Sequence, residues 1–227
     1  RSQWKGKGKY KEPAAPDTAA LPRLPEGWVW TQVGQAFDVH VGATPSRAKT
    51  EYWNGGIPWV SSGEVAFCTI KSTRETISQE GFENSSTNLH PVGTVLLGMI
   101  GEGKTRGQAA ILEIEACNNQ NSAAIRVSQT EVLPEYVYSF LEKEYEETRR
   151  RGSGGNQPAL NKERVRKIPF PLPPIAEQRR IIAEVDRRLS LIRETEAQVD
   201  ANSRRVTRLR QSILAQAFCR EAVHACV

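Results

Sequence analysis

Residues 98–105, GMIGEGKT, fit the pattern G-x-x-x-x-G-K-[ST] through Gly98, Gly103, Lys104 and Thr105. In a phosphate-binding loop of that kind the lysine and the hydroxyl residue open a helix, and its first backbone N–H groups receive the phosphates. Here RGQAAILEIEA follows. Gly107 comes at once, and Ala109, Ile111 and Ile114 are spaced like a returning strand. No later strand ends in an aspartate suited to Mg²⁺. Nucleotide binding through Gly98–Thr105 is therefore the lesser alternative, and a glycine-rich turn between two strands is expected. Lys104, Thr105, Arg106 and Gln108 would project from it, while Gly101, Gly103 and Gly107 let a ligand approach the backbone.

Signs of catalysis are few. His40, His90 and His224 have no nucleophile or metal partner at a telling spacing. Glu144 and Glu147 fall on a solvated helix face. No catalytic residue and no metal site are expected.

The polar loops say more. GATPSRAK offers Arg47 and Lys49 beside Thr44 and Ser46, and WVSSGEV offers Ser61 and Ser62 beside Glu64. ACNNQNSAA offers Asn119, Gln120 and Asn121 after Asn118. RRRGSGGNQPALNK offers Arg149, Arg150, Arg151, Ser153, Gln157 and Asn161. Arg and Lys grip phosphates or guanine O6 and N7, and Asn and Gln pair with adenine N6 and N7. Singly, each stretch is an ordinary loop. Together with the glycine turn, they make a candidate surface for double-stranded DNA.

Such loops need a scaffold. Runs rich in Val, Ile and Trp between turn signals predict strands over 28–33, 57–61, 94–100, 109–114 and 123–127. Pro134 opens a helix to about Arg150, with Tyr136, Val137, Phe140 and Leu141 on its apolar face. Residues 25–173 read as one strand-rich mixed domain. Residues 1–24, Gly/Lys-rich and then Pro-rich, read as a tether.

Beyond the prolines of IPFPLPPI, residues 176–218 contain neither Gly nor Pro. Val185, Ile192, Val199, Val206 and Ile213 recur every seventh residue, and Ile175, Ile182 and Leu189 begin a second seam that meets Glu196 and Ser203. This predicts a long helix over 174–220, roughly 65 Å long, whose seam needs a partner helix. Residues 221–227 are a short tail. The fold class is α+β: a strand-rich domain followed by a long C-terminal α-helix in a coiled coil.

Charge divides unevenly over the 227 residues. The net of +5 conceals a central domain with 15 Lys and Arg against 17 Asp and Glu, whereas residues 174–220 carry ten Arg against six acids. DNA contact by the domain must therefore come from local clusters. Cys68, Cys117, Cys219 and Cys226 are scattered, as in reduced cytoplasmic proteins. No apolar run reaches the roughly 18 residues that cross a bilayer, and no membrane partner is expected. The start at Arg1 instead of Met suggests a fragment or a truncated gene.

The strings LPEGWVWTQVGQ, GATPSR, IPWVSSGEV, LLGMIGEGKTRGQAAIL, NNQNSAAI and GSGGNQPALN…KIPFPLPPIAEQRRIIAEVDRRL resemble the specificity subunits of type I restriction-modification systems over about residues 22–220. The resemblance implies a non-catalytic chain that reads one half of a bipartite DNA target. It implies methyltransferase (modification) subunits as partners, holding S-adenosylmethionine, with a restriction subunit joining them; no cofactor is expected in this chain. Full-length members carry two recognition domains and two helices packed antiparallel. One domain and one helix make half a subunit, which implies a homodimer through the helix. A recognition half from a related type II system is the nearest alternative.

Overall fold

The computed structural model describes residues 16–101, 104–150 and 160–224. The order of elements is β1 (Val29–Gln32), α1 (Val33–Ala36), β2 (Asp38–Val41), β3 (Trp53–Val60), β4 (Cys68–Ile70), β5 (Glu75–Ile77), α2 (Gln79–Glu83) and β6 (Val95–Gly98). It continues with β7 (Ala109–Leu112), β8 (Cys117–Asn118), β9 (Ser122–Arg126), α3 (Pro134–Arg150), α4 (Lys162–Arg166), β10 (Pro169–Leu172) and α5 (Ile175–His224). The chain forms two compact units that divide between Arg179 and Arg180.

In the first unit the main sheet has the order β2-β9-β6-β7-β4. Its pairs are antiparallel except β4 with β7. VLLG, AAIL and SAAIR are short apolar runs, and such runs suit strands covered on both faces. Every residue of β6 is buried, as are Ser122–Ile125 of β9. Val60, Val65, Ile70, Leu96, Ala110, Leu112, Ala116 and Ala124 form one core cluster. Helix α3 packs across β6 and β7 and buries Tyr136, Val137, Phe140 and Leu141.

A second sheet runs β5-β3-β8, with β3 parallel to β8. A third pairs β1 with β10. Here Pro169 and Pro171 lie in a strand with a single neighbour, where a missing N–H breaks no second ladder. Between the prolines, Phe170 is fully buried and meets Phe37, Tyr136 and Phe140 edge to face at 5.1–5.7 Å. The Pro-rich stretch is thus a strand as well as a boundary.

The PPIAEQ junction has a concrete role. The Gln178 amide, 2% exposed, accepts from Leu133 N–H at 3.0 Å and donates to Pro173 O at 3.0 Å. It ties the first turn of α5 to the entry of α3. Helix α5 runs for 50 residues without interruption. In the second unit Ile192 is 53% exposed, Val199 61%, Val206 64% and Ile213 64%, so the heptad seam is open to solvent. Leu189 is 37% exposed, and Ile182 and Val185 are half-buried. Among the described residues no helix is long and apolar enough to cross a membrane.

Candidate nucleic-acid interface

The segment Asn118–Ser122 gathers the loops. Asn118 O accepts from Ala43 N–H at 3.1 Å, and Asn119 N–H donates to Val60 O at 3.1 Å. Met99 N–H donates to Asn121 O at 2.8 Å, and Leu160 N–H donates in turn to Met99 O at 3.1 Å. Thr44 donates its hydroxyl to Gln120 Oε1 at 2.6 Å. The GATPSR loop, the WVSS turn and the glycine turn therefore meet on one short stretch, and Leu160 is fastened to Met99 beside it. Gly42 permits the closest approach: a Cβ there would stand 1.7 Å from Asn118 O.

A buried polar chain holds that stretch from below. Arg126 Nε–H donates to His90 Nδ1 at 3.2 Å, so the neutral imidazole carries its proton on Nε2 and donates to Asn118 Oδ1 at 2.9 Å. Asn118 Nδ2 then donates to Asn119 O, Ser122 O and Ser122 Oγ at 2.8–3.1 Å. His90 is fully buried, and its pKa is depressed to about 4, chiefly by burial and next by the Arg126 charge. A proton on Nδ1 would point at the Arg126 N–H. His90 is thus structural, and the sequence carried no sign of its partners 28 and 36 residues away.

The sequence-predicted residues divide by what they already touch. Arg47 forms a two-pronged ion pair with Glu75 and lies over Trp53, 3.6 Å from the ring centroid. Lys49, exposed, donates to Tyr52 Oη at 2.7 Å. Ser61 donates its hydroxyl and N–H to Glu64 Oε2 in a capping box over the 3₁₀ turn that begins at Ser62, while Glu64 Oε1 accepts from Arg74 N–H. Ser61 thus fixes a turn; Ser62 is half-buried beside it. Asn119 is 6% exposed, and its Oδ1 accepts from Asn121 N–H and the Ser122 hydroxyl. Its side chain is a brace, unlike the exposed tip Gln120 and the half-buried Asn121. Asn161 spends its Oδ1 on Arg164 N–H as the N-cap of α4.

In the glycine turn Lys104 is exposed, and Thr105, Arg106 and Gln108 are half-buried. Tyr145 of α3 donates to Lys104 O at 2.8 Å. No helix opens at Lys104 and Thr105: a turn follows, then β7 returns antiparallel to β6. Gly98 N–H meets Gln108 O and Gly107 N–H meets Gly98 O, as at the mouth of a hairpin. A Cβ on Gly98 would strike Thr105 O at 2.4 Å. The phosphate-loop alternative therefore lacks its helix N-terminus. Arg151, Ser153 and Gln157, with the side chains of Arg149 and Arg150, lie outside the described residues.

A further basic stretch follows Asn161. Lys162, Arg164, Arg166 and Lys167 are all exposed on or beside α4, against the single acid Glu163. Its signal, KERVRK directly after the glycine-rich loop, was present in the sequence. Among the described residues no cluster of three or more His, Cys, Asp or Glu is placed to hold a metal.

Comparison with known proteins gives one consistent answer. The chain is 26% identical over 162 residues to the EcoR124I/EcoR124II specificity subunit of Escherichia coli, a type I restriction enzyme component; the match covers 70% of this chain and 40% of the relative. Similar folds occur in a chain from a structural study of complex assembly in a type I R-M system (TM-score 0.65, 21% identity, 83% of this chain and 45% of that one). They occur also in the HsdS subunit from Thermoanaerobacter tengcongensis (TM-score 0.61, 21% identity, 77% and 40%). The chain spans about 40% of the length of the curated relatives it matches. The family model described as "Type I restriction modification DNA specificity domain" matches residues 25–200, and the chain belongs to that family.

Proposed function

We propose that this chain is a non-catalytic DNA sequence-recognition subunit of a type I restriction-modification system. It reads one half of a bipartite duplex target and directs a methyltransferase (modification) subunit, which holds S-adenosylmethionine, and a restriction subunit to it. It would act in the cytoplasm. The observation that carries this reading is the convergence of three polar loops on Asn118–Ser122, within the span matched by the specificity-domain family. Comparing genomic methylation in strains with and without the gene tests it. One bipartite motif should lose methylation when the gene is removed; an unchanged methylome overturns the reading.

A second copy of the chain is the partner proposed for α5. Val185, Leu189 and Ile192 stand 14, 10 and 7 residues before Val199, and Val206, Leu209 and Ile213 stand 7, 10 and 14 after it. Thr195 and Glu196 are mirrored by Ser203 and Asn202. An antiparallel pair of identical helices with its two-fold axis at Val199 requires such a mirror pattern, whereas a parallel pair does not. It sets Ile192 on the second copy's Val206 and Leu189 on its Leu209. Two identical domains would then read a symmetric, interrupted site.

A further inference from the structure

Arg47 stands in the loop that two tryptophans fasten down. Trp53 donates its indole N–H to Ser46 O at 3.2 Å, and Trp59 donates its own to Ala43 O at 3.0 Å. The two rings meet edge to face at 5.1 Å and 87°. The guanidinium carbon of Arg47 lies 3.6 Å from the Trp53 centroid and 5.3 Å from that of Trp59. Its Nη1 and Nη2 donate to Oε1 and Oε2 of Glu75, the second at 2.9 Å. The two side chains remain 54% and 38% exposed.

Stability does not account for this assembly, because exposed ion pairs contribute little. Two properties do point to a ligand. The carboxylate cancels the charge, which removes the main attraction for a phosphate. The guanidinium plane is also fixed, from its edge by Glu75 and from one face by Trp53. Of its five N–H donors Glu75 takes two, so three remain at set directions within that plane. A phosphate can also take a forked donor pair, but with the net charge cancelled its main attraction to Arg47 is gone. Guanine presents O6 and N7 side by side in the plane of the base, and a planar donor pair matches them. The neighbouring contact between Thr44 and Gln120 places Arg47 on the loop that joins the Asn118–Ser122 segment.

We infer that Arg47 is a specificity-determining residue that reads a guanine edge in the major groove, with Glu75 and Trp53 as its positioning residues. This rests on the DNA-recognition reading above. The test is selection from a random duplex library by the full chain with its modification subunit, followed by competition binding at several salt concentrations. The wild-type complex should enrich a motif containing a guanine. Arg47→Ala should lose preference at that one base pair, by about 5- to 150-fold against the wrong bases, with the other positions kept and the salt dependence unchanged. Glu75→Gln should weaken the same preference yet steepen the salt slope of log K by up to about 0.9, because the released cation can now reach a phosphate. Arg47→Lys, which keeps the charge without the planar donors, should behave like Arg47→Ala in selectivity. Thermal unfolding should remain near wild type in all three. Equal losses on target and random duplex with a shallower slope would make Arg47 a phosphate ligand and overturn the inference, as would an unchanged motif. A wild-type complex that enriches no motif would instead overturn the recognition reading on which this rests.

Discussion

Thr44 and Gln120, 76 residues apart in sequence, are joined by a 2.6 Å hydrogen bond from hydroxyl to amide oxygen at the exposed edge of the domain. It links two loop tips that also meet through the bond from Ala43 N–H to Asn118 O. Thr44→Val keeps the shape and removes the donor. The expected cost is about 1 kcal/mol, typical of one hydrogen bond. Amide hydrogen exchange should rise locally at residues 119–122 while the protection of β6 and β9 is kept. Global loss of protection would show that the bond bears on the core.

Asn118→Ala should be far more damaging. It strips Nδ2 from three buried oxygens and removes the acceptor for His90 Nε2. Buried groups left without partners cost about 1–3 kcal/mol each, so a loss near 3 kcal/mol in denaturant unfolding is expected. A cost below about 1 kcal/mol would mean that the loops do not depend on this brace.

The His90 network makes stability depend on pH. The folded-state pKa of His90 is about 4, against an ordinary 6.5, because burial and then Arg126 disfavour its charged form. As pH falls from about 6.5 to 4 the unfolded chain binds a proton that the folded chain does not. The contribution is therefore complete above 6.5 and is lost on the way down, by about 3 kcal/mol in total. His40, lowered by burial and by Arg126, acts in the same direction. Unfolding free energies measured from pH 7 to pH 4 should fall more steeply in wild type than in His90→Gln. Parallel curves would contradict the assignment.

Lys104→Ala should weaken binding to target and random duplex alike and reduce the salt slope by about 0.9 for each phosphate that is no longer neutralised. Calorimetry with ATP and magnesium should give no heat in either protein, since the turn opens no helix. Tyr145→Phe, which frees the Lys104 carbonyl, should weaken DNA binding without altering the slope.

On α5, Ile192→Asp with Val199→Asp should abolish self-association in sedimentation, because each would bury an unpaired charge. The near-ultraviolet signal of the tryptophans, all before residue 60, should persist. With the native cysteines replaced, Val199→Cys should cross-link to itself. Ile192→Cys should do so only when Val206→Cys is also present. Self-cross-linking by Ile192→Cys alone would indicate a parallel pair.

What could be read in the sequence follows from where the information resides. Strands β1, β6, β7, β9 and the second half of β3 announced themselves because their own residues form short, mostly apolar runs between turn signals. Helix α3 and the long helix did so through spacing. Strands β2, β4, β5, β8 and β10 did not: each has only two to four residues, several of them Asp, His, Thr or Pro, and exists through its neighbours. The loops were legible as polar tips, but their joints were not. Asn118 looks like its three polar neighbours until His90 and Gly42 are placed around it. Arg47 reads as a bare cation until Glu75 is brought across from β5.

The joints at Asn118–Ser122 have a consequence for how such a domain changes over time. Ala43, Val60 and Met99 are held there, and Leu160 is held to Met99, by main-chain N–H and C=O groups, which every residue but proline possesses. Mutational drift at the loop tips therefore leaves the fastenings intact. New side chains can be tried at Lys104 or Arg47 without rebuilding what presents them, so a domain of the proposed kind could acquire a new target at little cost to the fold.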